Sequence, residues 1–240
     1  MIIVTGGAGF IGSNFILKFL EASNENLLNL DNLSYAANLS NLKTINTYHR
    51  YSFTKINIQN QSEVEAIVKE VKPRAILNFA AESHVDRSIE GPESFINTNI
   101  LGTYSLLEAA LNYWNDLDES GKKIFRFFHI STDEVFGSLD INDKKSTEES
   151  SYKPNSPYSA SKAASDHLVR AWHHTFKLPT LVSNCTNNYG PHQYEEKLIR
   201  YFWFKIFIKI FNKFYILFII SCWFKKTTKG TDFFVKIYTD

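Results

Sequence analysis

Two short stretches carry side chains that could do chemistry together. Tyr158-Ser159-Ala160-Ser161-Lys162 puts a phenol and an ammonium four residues apart. On a helix that spacing brings both to one face. A nearby ammonium favours phenolate, so the Tyr158 pKa is expected to fall toward the working range and the phenol to serve as a base. The plainer alternative is an amphipathic helix with a surface lysine. Ser131-Thr132-Asp133-Glu134 comes after an apolar run at 125–130. Two adjacent carboxyls can divide acid and base work when their surroundings split their pKa values. The plainer alternative there is a polar turn, with Asp133 as the cap of the next segment.

A third stretch could hold a phosphate. The chain opens MIIVTGGAGFIGS, an apolar run that ends in spaced glycines. Gly6 and Gly7 permit a tight turn, Gly9 removes a side chain that would block a pyrophosphate, and Gly12 lets the next helix approach the sheet. The N-terminus of that helix offers free N–H groups and partial positive charge to an anion. Asp31 stands 19 residues after Gly12, where an acid would meet the adenosine ribose hydroxyls. Asn32 and Leu33 come after it rather than Lys or Arg, so NAD is favoured over NADP. Alone, the glycines are also compatible with a ligand-free strand–helix turn, and Asp31 with a turn cap.

These residues need strands to deliver them to one edge and helices to space the strands. The pattern alternates. Residues 2–5 read as a short strand, 11–22 as an amphipathic helix, 27–30 as a strand and 38–43 as a short helix. Residues 51–56 read as an edge strand and 62–71 as a helix capped by Ser62 and stopped by Pro73. Strands at 75–79, 125–131 and 180–185, helices at 93–113 and 158–176, and a polar loop at 144–157 complete the reading. The expected fold class is α/β, a doubly wound parallel sheet of Rossmann-like type, spanning 1–199. In such a sheet, ligands bind beyond the carboxyl ends of the strands.

Composition narrows the function. The 240 residues carry a formal net charge of +1, but unevenly. Residues 1–196 hold 17 Lys and Arg against 23 Asp and Glu, whereas 197–231 hold eight basic residues and no acid. An acidic body argues against nucleic acid as a partner, because neutralising phosphates needs a basic face. Cys185 and Cys222 have neither metal-ligand nor disulfide-framework spacing, so no metal is expected and a reducing cytoplasm fits. The N-terminus lacks a charged region leading into a long apolar one, so no signal peptide is expected.

The stretches TGGAGFIGS, LDNLSYAANL, NFAAESHVDRSI, NTNILGTYSLLEAA, HISTDEVFGSL, SPYSASKAASDHLVRA and SNCTNNYGPHQYEEKLI resemble the extended short-chain dehydrogenase/reductase superfamily. Within it they resemble the dTDP-glucose 4,6-dehydratases. AESHVDRS, STDEVFG and SNCTNNYGP together point to a sugar-nucleotide dehydratase rather than an epimerase, which lacks the Asp-Glu pair. The resemblance implies bound NAD, oxidation of the sugar at C4, elimination of water across C5–C6 and return of the hydride to C6. It implies that Tyr158 takes the C4 hydroxyl proton, and that Lys162 holds the nicotinamide ribose. Thr132 would hydrogen-bond the C4 oxygen, Glu134 remove the C5 proton and Asp133 protonate the leaving C6 hydroxyl.

The NAD site would comprise Gly6, Gly9, Phe10, Ile11, Gly12, Asp31, Asn32, Leu33, Ser34, Asn57, Ile58, Phe79, Ala80, Ala81, Glu82, Ser83, Thr98 and Asn188, with Tyr158 and Lys162. The sugar nucleotide, dTDP-glucose or UDP-glucose, would touch Ser83, Thr132, Asn187, Lys197 and Leu198. A homodimer through helices at about 93–114 and 158–176 is implied as well. Three positions depart from the family pattern: Asn57 for Asp, Phe136 for Tyr and Ala37 for Gly.

The resemblance stops after Ile199. From Tyr201 to Phe224, 11 of 24 residues are aromatic. The expectation is that 200–240 is not a family domain, that it reads as a read-through or shifted frame, and that the substrate domain is largely missing. A basic amphipathic membrane helix is the lesser alternative; the apolar-rich run 214–224 is short for a span, which needs about 20 residues. With that tail the chain is expected to bind NAD with weak or absent turnover, the alternatives being a UDP-sugar dehydratase or 4-epimerase of the same superfamily or a non-catalytic NAD-binding remnant, and dimerisation is in doubt.

Overall fold

The computed structural model describes residues 1–140, 142–194 and the backbone of 233–237. Its centre is one sheet in the order β3-β2-β1-β4-β5-β6-β7. The strands are β1 (Ile2–Thr5), β2 (Leu27–Asp31), β3 (Tyr51–Lys55), β4 (Ala75–Asn78), β5 (Arg126–Thr132), β6 (Thr180–Cys185) and β7 (Phe233–Ile237). The first six pair in parallel, and β7 pairs antiparallel on the outer edge of β6. The sequence reading left 200–240 outside the domain; within it, 233–237 joins the sheet.

Both faces of the sheet are covered, which is why β1, β2 and β4 are almost continuously apolar rather than alternating. Successive side chains still go to opposite faces. Ile3, Ile76, Phe127 and Val182 pack with Leu106, Leu107, Ala110 and Val169 on one side. Ile2, Val4, Leu27 and Leu77 pack with Ile16, Leu20 and Leu42 on the other.

The helices are α1 (Phe10–Ala22), α2 (Gln61–Val71), α3 (Val85–Glu90), α4 (Glu93–Phe95), α5 (Thr103–Asn115), α6 (Glu119–Ile124) and α7 (Pro157–Phe176). Three differences from the sequence reading have clear causes. Asn60, not Ser62, precedes α2, and the Ser62 hydroxyl donates to the Asn60 side chain at 3.0 Å. The helix read as continuous over 93–113 contains a π-helical segment, Ile96–Gly102, between α4 and α5. There the buried Asn99 side chain turns inward to bond other segments, and a Cβ on Gly102 would stand 2.7 Å from the Ile58 side chain. The short helices α3 and α6 carry too few turns to show periodicity.

Helix α7 begins with a reciprocal cap. The Ser159 N–H donates to Ser156 Oγ at 3.0 Å, and the Ser156 N–H to Ser159 Oγ at 2.9 Å, with Pro157 in the first turn. This fixes the start of the helix one residue before Tyr158 enters it. Replacing Ser156 with Ala is expected to destabilise the fold by about 1 kcal/mol, measured as a lowered midpoint in thermal denaturation.

Candidate active site

The parallel strands all finish at one edge, and the strand order reverses between β1 and β4. A cleft of about 270 Å³ lies at that edge, at the switch point where open α/β sheets bind ligands. Gly6, Gly9, Phe10, Ile11 and Gly12 line it where β1 hands over to α1, and Asp31, Asn32 and Ser34 line it at the end of β2. Ile58, Phe79, Ala80, Ala81, Glu82, Ser83 and Thr98 line its floor and near wall. Thr132, Glu134, Tyr158, Lys162, Asn187 and Asn188 form the far wall. The two stretches singled out for chemistry thus meet each other and the glycine turn.

Three expected residues lie outside the lining of the cleft: Leu33, Asn57 and Asp133, the last beside it against Thr132. Leu33 has φ of +58° and gives its N–H to Asp31 at 2.8 Å, so it shapes the turn. Asn57 folds its side-chain oxygen back onto the Gln59 N–H at 3.0 Å. Lys197 and Leu198 fall outside the described residues. Tyr35, Ser131, Cys185, Gln193 and Tyr194 line the cleft and were missed. All five sit inside the family-like motif strings, Gln193 and Tyr194 in SNCTNNYGPHQYEEKLI, but neither their residue type nor their spacing marks a role in the site. The Tyr35 ring lies between the Arg87 guanidinium, 3.9 Å from its centroid, and the edge of Tyr194.

The glycine turn is shaped for an anion. Gly6 has φ of +69°, which favours glycine. A Cβ on Gly12 would stand 2.4 Å from the Gly6 carbonyl oxygen, so that position closes the turn onto the helix. A Cβ on Gly9 meets only that same oxygen at 3.3 Å and otherwise enters open space. Helix α1 has no side-chain cap and no acid in its first turn, so its positive end is left for a ligand. Asp31 serves the turn as well as facing the cleft: it accepts the Ala8 N–H at 2.9 Å through one oxygen and the Leu33 N–H through the other. Burial raises its pKa, and those two hydrogen bonds oppose the rise. Ala37 does not have a left-handed φ, so the missing glycine there costs nothing.

On the far wall, Thr132 caps the short 3₁₀ turn Asp133–Phe136 by accepting the Glu134 N–H at 3.2 Å. The cap is therefore Thr132 rather than Asp133. The Thr132 hydroxyl faces Asp133 at 3.4 Å and hydrogen-bonds the Tyr158 phenol. Burial raises the Asp133 pKa, partly offset by the Thr132 bond, so this carboxyl holds a proton more readily than a surface one. The expected fall in the Tyr158 pKa is not what the site does without ligand. Burial pushes the phenol well up, and the charge of Glu134 pushes it further. The reason is geometric: the Lys162 ammonium donates to the Ile130 carbonyl at 2.7 Å and lies 3.3 Å from His129 Nε2, engaged with β5. Burial lowers the Lys162 pKa and the charge of Asp166 raises it. Phe136 is buried against Tyr152, ring edge to face at 5.2 Å, and needs no hydroxyl.

A doubly wound fold with a glycine turn and a Tyr-x-x-x-Lys helix in one cleft defines a short-chain dehydrogenase/reductase of the extended type. Residues 3–210 match the family model described as GDP-mannose 4,6 dehydratase, and the chain belongs to that family. It is 52% identical over 198 residues to a dTDP-glucose 4,6-dehydratase of Haemophilus influenzae, covering 82% of this chain and 59% of that one. It is 54% identical over 197 residues to that of Xanthomonas campestris, covering 82% and 56%. A crystal structure of the Bacillus anthracis dTDP-glucose 4,6-dehydratase in complex with NAD superposes with a TM-score of 0.76 at 42% identity, over 87% of this chain and 61% of that one. A UDP-glucose 4-epimerase of Thermus thermophilus is more distant, with a TM-score of 0.68 and 28% identity over 81% and 58%. The chain thus spans less than two thirds of the length of these relatives.

The two glycines separate binding from folding. Gly9→Ala is expected to leave the melting temperature within about 2 °C of the parent, since surface changes of this kind stay within about 0.5 kcal/mol. It should weaken binding of an adenine dinucleotide more than about tenfold, a loss of about 1.4 kcal/mol. Gly12→Ala forces backbone apart and is expected to cost about 1–3 kcal/mol of stability. Calorimetry and thermal denaturation on both variants check this.

Proposed function

We propose that the chain is the NAD-binding and catalytic portion of a sugar-nucleotide 4,6-dehydratase, converting dTDP-glucose to dTDP-4-keto-6-deoxyglucose. The observation that carries it is the convergence of Thr132 and Glu134 with Tyr158 and Lys162 in the cleft that also holds the glycine turn. The Haemophilus, Xanthomonas and Bacillus relatives share this function in their names, and they are more similar than the epimerase.

The residues fit NAD. The open space beside Gly9 and the uncapped end of α1 suit its pyrophosphate, and Asp31 suits the adenosine ribose. Gly6, Gly12, Ser34, Ile58, Ala80, Thr98 and Asn188 surround it, with Lys162 reaching toward the nicotinamide ribose. Bound NAD supplies a hydride acceptor that is restored within the same turnover.

The chain's own residues manage protons. Tyr158 takes the C4 hydroxyl proton, oriented by Thr132 on the same phenol. Loss of a proton from C5 then becomes feasible, because a C4 ketone stabilises the resulting enolate; Glu134 lines the cleft and takes it. Asp133, whose carboxyl is biased toward the protonated form by burial, gives its proton to the departing C6 hydroxyl. Ser83 from the near wall and Asn187 from the far wall line the same cleft and would contact the sugar nucleotide.

A homodimer and a cytoplasmic location go with this reading. Ile96, Leu101, Tyr104 and Phe176, on the helical segments 93–115 and 157–176, are exposed large apolar side chains, of the kind that mark an interface. Sedimentation is expected to give twice the chain mass, and Leu101→Glu to reduce it to one.

The function is tested by incubating the 240-residue chain with NAD and either dTDP-glucose or UDP-glucose. The expected result is a 4-keto-6-deoxy product from dTDP-glucose, detected by mass as loss of water. Glu134→Gln should reduce its formation by about 100-fold or more while leaving NAD affinity within about twofold, less than 0.5 kcal/mol. A galactose product of unchanged mass would replace this reading with an epimerase.

A further inference from the structure

Behind the reacting groups lies a carboxylate that the proposed mechanism does not use. Asp166 is 1% exposed, one helical turn after Lys162 on α7. Its Oδ2 accepts three hydrogen bonds: from Ser131 Oγ at 2.9 Å, Tyr152 OH at 2.9 Å and Asn184 Nδ2 at 3.0 Å. Its Oδ1 lies 3.5 Å from His129 Nε2 and has no other partner. Those donors come from three different segments. Ser131 and His129 are on β5, Asn184 is the cross-strand neighbour of Ser131 on β6, and Tyr152 is on the loop that returns from the Asp133–Phe136 turn. Asn184 also donates to the Thr132 carbonyl at 3.2 Å.

We propose that Asp166 is the positioning residue that locks the two halves of the active site together. The carboxylate ties the strand end carrying Thr132, Asp133 and Glu134 to the helix carrying Tyr158 and Lys162. It also holds the His129 ring with its proton on Nε2. The inference rests on the dehydratase reading only for what those halves do.

The tautomer is set by the neighbours. Thr5 Oγ1 donates to Asn78 Oδ1 at 2.7 Å, which leaves the Asn78 amide N–H groups to face Thr103 and His129 Nδ1, the latter at 3.1 Å. His129 Nδ1 therefore accepts, and its proton sits on Nε2, facing Asp166 Oδ1 at 3.5 Å; the Lys162 ammonium 3.3 Å from that nitrogen is then an ionic neighbour rather than a hydrogen-bond donor to it. Burial, with Lys162 beside it, keeps this ring neutral well below the ordinary histidine range. The charged and titratable groups that face Asp166 are Lys162 on α7, His129 on β5 and Tyr152 on the loop. Lys162 is the cation among them, so Asp166 is its counter-charge in a dry interior.

The change Asp166→Asn keeps the shape but replaces one acceptor with a donor. Its carbonyl can satisfy the three donors only by turning its NH₂ toward His129 Nε2–H and Lys162. Nitrogen-15 spectra of histidine-labelled protein without any ligand are expected to show His129 as the Nε2–H tautomer from about pH 6 to about pH 8 in the parent. In the Asn variant that signature should be lost. NAD affinity of the variant should fall about tenfold at pH 7 and further as pH rises toward about 9, because Lys162 loses the carboxylate that keeps it protonated; the parent should change little. Asp166→Glu restores the charge and should recover the flat pH profile.

A parent His129 protonated on Nδ1, or charged over that range, overturns the proposal without any variant, and does so even if a variant fails to fold. An Asn variant that only melts earlier, with the tautomer and the pH profile unmoved, also overturns it. A parent that shows the tautomer but does not bind NAD overturns the proposed function instead.

Discussion

The constraint on which the rest depends is that buried polar groups must find partners where the strands end. An apolar sheet interior solvates nothing, and an unmet donor or acceptor there costs about 1–3 kcal/mol. This sheet carries a seam of polar side chains across β1, β4, β5 and β6: Thr5, Asn78, His129, Ser131 and Asn184, all buried. Hydrogen bonds join Thr5, Asn78 and His129, and Ser131 and Asn184 bond Asp166 on α7, with the His129 ring 3.5 Å from its other oxygen. Below the seam the core is held by shape; above it lies the cleft. The network sets the height at which packing stops and chemistry begins, and connected polar networks of this kind favour one arrangement over its near neighbours.

A second network does the same for the near wall. Asn99, in the π-helical segment, accepts the Glu82 N–H at 2.9 Å and donates to the Glu82 carbonyl at 3.0 Å and to Ser161 at 2.8 Å. The loop 79–83 that lines the cleft is thereby fastened to α7 beside Tyr158. Single-turn π-bulges inside helices recur at functional sites because they re-aim one side chain without ending the helix. Here that side chain is Asn99.

Much of this was legible in the residues. The strands β1, β2, β4, β5 and β6 are marked by short apolar runs bounded by turn residues, and the site by Gly6 to Gly12, Asp31, the 131–134 stretch and Tyr158 with Lys162. What escaped depends on long-range geometry. The π-helical turn is invisible because 93–113 keeps a helical pattern throughout. The raised Tyr158 pKa could not be read from spacing, since it turns on where the Lys162 ammonium points. Asp166 looked like an ordinary helix acid; only the folding together of β5, β6 and α7 reveals three donors on one oxygen. Gln193 and Tyr194 lie inside the string SNCTNNYGPHQYEEKLI, but only the folded turn shows that they reach the cleft.

Strand β7 runs against its neighbours and lies on the outer side of β6. A central strand can carry the apolar character of β6 because both its sides are paired. Stripped of that cover, the same strand would present a bare row of amide and carbonyl groups next to the cleft, a template for pairing with another chain. The edge that shelters the chemistry is then also a route to aggregation, so solubility and catalytic geometry are guarded by the same few backbone hydrogen bonds.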